Sequence, residues 1–352
     1  MKPVRLAIVD DALFIREGLR RLLEGDARIT VVGAAASGEE FLARLDEWRP
    51  DAVTLDLNMP GLGGLDTLDR LMALRPMPVI ILSTRSGDGA PITVEALGRG
   101  AADFIDKEAY SLVDFQALRE VLIQKLVHVT GNATGNAVAS GGEPLPLAPA
   151  RVGEPRLIVI GASTGGPRAI EMVLSALGAE FPAPIVVVQH MPVGFTRAFA
   201  ERLDRALPLT VWEARHGDVL GPGMVAIAPA DSHVSLRSAG NHLTVILAKD
   251  PADALHRPAV DVLFRSAASV TGNRTVGVLL TGMGSDGADG MRALWRCGAH
   301  TIAQDEESCV VYGMPRVAVT FGAVRDVLPL SEIGASLRQA CAMPTSGATV
   351  AP

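Results

Sequence analysis

Ile158-Val159-Ile160-Gly161-Ala162-Ser163-Thr164-Gly165-Gly166-Pro167 is the stretch from which the fold of this chain can be read. Residues 156–160 are a short apolar run of strand type, residues 161–166 bring three glycines and two hydroxyls, and Pro167 opens a helical pattern. Ile170, Val173, Leu174 and Leu177 recur at i, i+3, i+4 and i+7, so one face of that helix is apolar, with Pro167 in its first turn and Gly178 past its end. Strand, tight turn and helix together present Ser163 and Thr164 at a helix N-terminus, where unpaired N–H groups and the macrodipole favour developing negative charge. A serine there is placed to act as a nucleophile, although Gly-rich turns of this kind also hold a phosphate or nothing at all. The G-x-x-x-G-G spacing matches neither the dinucleotide fingerprint nor the Walker loop.

Working outward, 352 residues are enough for two domains, each with its own core, and exclude a single small module. Hydrophobic residues at 48% and charged ones at 20% are ordinary for a globular protein, and no apolar run approaches the ~20 residues that span a bilayer. The N-terminal M-K-P-V-R-L-A-I-V-D-D ends its apolar part in two aspartates, which reads as a strand rather than a signal peptide, so the expected location is the cytoplasm, without membrane insertion. Cys297, Cys309 and Cys341 are odd in number and lack C-x-x-C spacing, which predicts buried free thiols in place of a disulfide framework or zinc site. A net charge of −7 without a Lys/Arg cluster gives no footprint for nucleic acid, and no helix-turn-helix with a basic recognition helix appears.

Before the Gly-rich turn, apolar runs at 4–9, 29–34, 52–57, 79–82 and 103–105 alternate with amphipathic segments at 14–23, 40–45, 65–74, 92–97 and 112–127. Five strands alternating with five helices imply a doubly wound parallel sheet, whose ligands gather beyond the carboxyl ends of the strands. Those ends carry Asp10, Asp11, Asp56, Ser83 and Lys107. An isolated aspartate at such a place is usually an N-cap, but three carboxylates converging with a hydroxyl and a lysine suit Mg²⁺ and a phosphoryl group carried on one Asp.

With D-D at 10–11, L-D-L-N-M-P-G at 55–61, I-L-S at 81–83 and D-F-I-D-K at 103–107, this half resembles a response-regulator receiver domain, expected over residues 1–128. The resemblance implies Asp56 as phospho-acceptor, Asp10, Asp11 and Asp56 as the Mg²⁺ site, Ser83 and Lys107 as phosphoryl contacts, and Phe104 as the aromatic switch residue. Two departures stand out. Gly63-Gly64 replaces the commoner Asp-Gly, and Glu108 follows Lys107 where such domains usually have Pro, so no cis Lys-Pro bond is expected and the placing of Lys107 is open.

Residues 129–153 shift to Gly, Ala, Ser, Asn, Thr and Pro without periodicity, a linker composition, and residues 343–352 read as a frayed tail. Between them, strand patterns at 157–160, 185–189, 209–213, 224–228, 275–280 and 301–303 and helical patterns at 168–177, 196–206, 260–268, 287–297 and 315–321 predict a second, mostly parallel α/β sheet. A small antiparallel hairpin is predicted from 234–237 and 243–247.

A serine hydroxyl needs a base, and that base an orienting acid. His190 directly follows the strand at 185–189 and so shares the carboxyl-end edge with Ser163, while His216 and His256 lie in other loops. Asp286 and Asp289 follow the strand at 275–280, and either can orient an imidazole; Asp286 can equally be an N-cap. Cys309, inside the apolar C-V-V-Y, is read as buried and inert.

G-A-S-T-G-G-P, Q-H-M-P-x-G-F-T, H-R-P-x-V-D-V-L-F, L-T-G-M-G-S-D-G-A-x-G and A-Q-D-E-x-S-C-V-V-Y-G-M-P, in this order, resemble the chemotaxis protein-glutamate methylesterases. The resemblance covers nearly the whole chain and places the catalytic domain at 154–342. It implies Ser163 as nucleophile, His190 as base and Asp286 as its orienting acid, hydrolysis of glutamyl methyl esters on chemoreceptor cytoplasmic domains, and deamidation of glutamines there. Backbone N–H groups of Thr164 and Met283 are the candidate oxyanion donors, and no cofactor is expected for ester hydrolysis. A chemotaxis histidine kinase is the expected phosphodonor, with the unmodified receiver masking the esterase. The rival readings are a non-catalytic interaction module on the same fold and an esterase serving another pathway.

Overall fold

Residues 2–83, 89–107, 115–131, 157–239, 242–252 and 254–341 are described by a computed structural model, which divides into the units Met1–Ser140 and Gly141–Pro352. Most of the expected linker, the hairpin turn at 240–241, Glu108 and the expected tail lie outside the described residues.

In the first unit the alternating pattern forms β1 (Val4–Val9), α1 (Leu13–Leu23), β2 (Ile29–Ala35), α2 (Gly38–Ala43), α3 (Leu45–Trp48), β3 (Ala52–Asp56), α4 (Gly63–Leu74), β4 (Val79–Ser83), α5 (Gly89–Gly98), β5 (Asp103–Asp106) and α6 (Phe115–Val129). The five strands pair in parallel in the order β2-β1-β3-β4-β5. Strands β3 and β4 are buried throughout, as a sheet covered on both faces requires. The helical segment predicted at 40–45 is two short helices, parted at Arg44. Val129, expected in the linker, is the last residue of α6.

The second unit contains β6 (Leu157–Ala162), α7 (Gly166–Ser175), β7 (Ile185–Gln189), α8 (Phe195–Ala206), β8 (Thr210–Glu213), β9 (Val219–Leu220), β10 (Met224–Ile227), β11 (His233–Ala239), β12 (His242–Ala248), α9 (Val260–Val270), β13 (Thr275–Leu279), α10 (Ala288–Arg296), β14 (His300–Gln304), α11 (Met314–Thr320), β15 (Asp326–Leu328) and α12 (Leu330–Cys341). Seven strands form one sheet in the order β15-β14-β13-β6-β7-β10-β8, and all their pairings are parallel. The predicted hairpin is β11 and β12, extended to three antiparallel strands by β9. Strands β9 and β15, two and three residues long, and helix α12 were not anticipated.

Strand β6 sits at the centre, with β7 on one side and β13 on the other. The chain reverses its direction of winding there, and a crevice opens beyond the carboxyl ends at such a switch point. Helix α7 begins within that crevice because residue 166 has no side chain: a Cβ on Gly166 would stand 1.9 Å from Gln189 Oε1 and 2.8 Å from Ala162 Cβ. Phe195, Phe199 and Phe264 are fully buried and anchor α8 and α9.

Phe264 also packs against the start of α10, where a Cβ on Gly290 would lie 2.5 Å from Phe264 Cβ. Phe264→Ala should therefore destabilise this unit by about 3–5 kcal/mol through lost burial and the cavity left behind. Chemical denaturation followed by circular dichroism should show the transition of the second unit at lower denaturant, with that of the first unit unmoved.

Candidate active site

Three loops meet over the switch point. The turn after β6 carries Ser163, whose N–H donates to Thr281 O (3.0 Å). His190 follows β7, and its N–H donates to Ala162 O (3.1 Å). Gln189 Nε2 donates to the carbonyls of both Ser163 (2.9 Å) and His190 (3.0 Å), fastening the two strand ends together. Thr281, after β13, donates from Oγ1 to Thr164 O (3.0 Å), and the same hydroxyl accepts from Val311 N (2.9 Å). Gly282 lies directly against the serine: a Cβ there would stand 2.8 Å from Ser163 Cβ.

His190 Nε2 and Asp286 Oδ2 are 2.8 Å apart. The carboxylate also accepts from Val260 N on Oδ2 (2.8 Å) and from Asp261 N on Oδ1 (3.0 Å), so it caps the N-terminus of α9 while holding the imidazole. Burial pushes the Asp286 carboxyl upward, but the His190 hydrogen bond and charge and the two backbone donors outweigh it, and the net shift is down. An ionised carboxylate only accepts, so the shared proton sits on Nε2 and the lone pair on Nδ1. Nδ1 is buried and has no hydrogen-bond partner among the described residues.

Of the two acids read from sequence, Asp286 reaches the histidine and Asp289 does not. The Asp289 carboxylate is half exposed and pairs with Arg292 (3.2 Å) and Arg265 (3.8 Å). His216 is exposed and accepts from Leu247 N (3.2 Å), at the antiparallel sheet. Cys309 is only half-buried, yet burial pushes its thiol up to about 12, which leaves it protonated at neutral pH. Cys297 is also half-buried, against the expectation, and Cys341 is buried. Thr164 is buried, and Met283 directly follows Gly282.

His256, a weaker rival to His190 for the base on its sequence, stacks on His190 with ring centroids 4.2 Å apart and 25° between planes. Together with Met191, Pro192, Arg257 and Pro258 these two rings line a cleft of about 220 Å³. Ring stacking between loops separated by 66 positions (256 − 190) leaves no local pattern to read. The H-R-P string was its sole mark.

In the first unit, Lys107 Nζ bridges Asp10 Oδ2 (2.9 Å) and Asp56 Oδ1 (3.2 Å). The lysine thus reaches the acidic cluster without a following proline. Oxygens of Asp10, Asp11 and Asp56 lie within 4.8 Å of one another, a donor set of hard oxygens that fits Mg²⁺. Burial raises the Asp56 carboxyl, with Lys107 opposing and Asp10 adding to the rise. The Ser83 hydroxyl is engaged by Thr93 Oγ1 and Gly89 O at the start of α5. Phe104 is buried in β5.

Fold and site define an α/β protein with a hydrolase-like loop cluster in one unit and a phosphoacceptor-like acidic cluster in the other. Residues 6–120 match the response regulator receiver domain family, and residues 158–337 the CheB methylesterase family, to which the chain belongs. A protein-glutamate methylesterase/protein-glutamine glutaminase of Symbiobacterium thermophilum is 42% identical over 96% of this chain and 97% of its own length. A second relative with that name, from Pseudomonas aeruginosa, is 42% identical over 98% of this chain and 99% of its own. The crystal structure of the Thermotoga maritima CheB methylesterase catalytic domain is 44% identical, with a TM-score of 0.51, over 53% of this chain and 98% of that one.

Asp261, beside Asp286 at the start of α9, is pushed up to about 6 by burial, the Gly290 hydrogen bond opposing and the Asp286 charge adding. A folded value above the unfolded one means that ionisation costs stability as pH rises from about 4 through 6. Asp261→Asn keeps an oxygen for Gly290 N (2.6 Å) and removes that cost. Thermal melts should show the variant stabilised by about 1–3 kcal/mol at pH 8 and the gain gone at pH 3.5.

Proposed function

We propose that this chain hydrolyses glutamyl methyl esters on chemoreceptors, and deamidates glutamines there, with Ser163, His190 and Asp286 as its hydrolytic set. The observation that carries the reading is the imidazole tied at Nε2 to an ionised carboxylate, with Nδ1 buried and without a partner among the described residues, in a residue whose backbone is bonded to the strand end that bears Ser163.

In this reading the γ-carbonyl carbon enters the cleft, Ser163 Oγ attacks it, and the hydroxyl proton passes to His190 Nδ1. Charge collects on the former carbonyl oxygen, and the Thr164 and Met283 backbone N–H groups are the proposed donors to it, each worth about 3 kcal/mol. As the tetrahedral intermediate collapses, His190 returns the proton to the departing methoxide and methanol leaves. Water then attacks the acyl-serine with His190 again as base, giving the glutamate carboxylate and free Ser163. For glutamine the leaving group is ammonia, and the same donors serve. Asp286 stays ionised and stabilises the imidazolium.

The receiver supplies control. Asp56 is the proposed phospho-acceptor from a histidine kinase, Asp10, Asp11 and Asp56 would hold Mg²⁺, and Lys107 with Ser83 would contact the phosphoryl oxygens. Held there, Mg²⁺ would supply positive charge against the phosphoryl oxygens. Ser83 has to turn from Thr93 to take part. Phosphate on Asp56 adds about 1.5 to 2 negative charges, which relieves the restraint of the receiver on the esterase.

Ser163→Ala should lower methanol release from methylated receptor by at least about 10⁴-fold; undiminished turnover would end the reading. A small phosphodonor, acetyl phosphate with Mg²⁺, should raise wild-type turnover and leave Asp56→Asn at its basal rate. Equal activation of that variant would remove Asp56 as the control point.

A further inference from the structure

A hydrogen bond at Nε2 fixes one point of an imidazole and leaves its rotation about that point unconstrained. The second constraint comes from a different loop. His233, the first residue of β11 and 1% exposed, accepts from Ala259 N on Nδ1 (3.1 Å) and is 3.2 Å from Pro251 O at Nε2. Because an amide N–H only donates, Nδ1 is the acceptor and Nε2–H donates to the carbonyl, which is the neutral tautomer. One ring therefore ties both ends of the loop whose middle carries His256.

We infer that His256 is a positioning residue of the hydrolytic site: braced through its loop by His233, its ring covers one face of the His190 imidazole and holds Nδ1 towards Ser163. This rests on the reading of Ser163, His190 and Asp286 given above. The charged and titratable neighbours are His190 and Asp286 around His256, and Arg257, Asp286 and Asp250 around His233. Burial, and then the charge of His190, lower the His256 value, so a neutral ring faces the imidazolium that catalysis creates. Its aromatic face attracts a cation, where a second imidazolium would repel one.

The test uses the full chain and methanol release from methylated receptor, with kcat and KM measured separately and thermal melts on each variant. His256→Ala should lower kcat by about 10- to 100-fold with KM within about twofold, the signature of a misplaced catalytic group. His256→Phe, which keeps the aromatic face and loses the nitrogens, should stay within about threefold of wild type if stacking is what matters. Wild-type kcat in His256→Ala, or an equal loss in His256→Phe, would overturn the inference. His233→Ala should reproduce the kcat loss, and His233→Ala/His256→Ala should be no worse than His256→Ala alone, whereas multiplying losses would overturn the brace. Should His233→Ala fail to fold, the His256 pair decides. Ser163→Ala run alongside separates the two failures: its inactivity with normal His256→Ala sinks only this inference, and its activity sinks the reading beneath.

Discussion

The carboxylate of Asp286 is the junction on which the second unit turns. Its two oxygens take three donors, from a histidine at the end of β7 and from the first two amides of α9. The His190 hydrogen bond and charge, helped by the two amides of the helix terminus, keep the acid ionised despite burial, and the ionised acid fixes which imidazole nitrogen carries the proton. Two backbone donors and a side-chain donor pull in the same direction, so the geometry does not rest on a single contact. Next door, burial, with the Asp286 charge adding to it, outweighs the one amide of Gly290, and Asp261 holds its proton up to about 6.

What brings that junction to the serine is sheet order. Placing β6 between β7 and β13 delivers three loops to one edge, and close backbone approach lets them share atoms. Gly166 lets α7 start against Gln189, and Gly282 lets the third loop press on Ser163. The first unit uses the same geometry for different chemistry. Its strand ends gather carboxylates around a lysine, and burial there raises Asp56 where donors at Asp286 lower it. Two buried carboxylates, each at the carboxyl end of a parallel sheet, are thus set apart by whether their donors outweigh burial: His190 and two amides do so at Asp286, and Lys107 does not at Asp56, where Asp10 adds to the rise.

Much of this was legible in the sequence. Apolar runs alternating with amphipathic segments specify buried parallel strands, and a residue directly after such a run is known to lie at the carboxyl end. Ser163, His190, Asp56 and Lys107 could be placed on their edges in this way. Asp286 was legible as either an N-cap or an orienting acid. Its carboxylate bonds both His190 and a helix terminus, and that helix is α9 and not the α10 that follows it in the chain. The sequence offers His256 only as a weaker rival for the base, because a ring stack between loops has no period. Strands β9 and β15 are too short to show alternation, and the Ser83 contact to Thr93 depends on a rotamer that composition does not specify.

The most direct measurement is to mix the enzyme with methylated receptor, quench in acid within a turnover, and map the digested enzyme by mass spectrometry. The account predicts a receptor-derived glutamyl adduct on the peptide bearing Ser163, absent when His190 is replaced by alanine. An adduct on Cys309, or on any side chain other than Ser163, would contradict it.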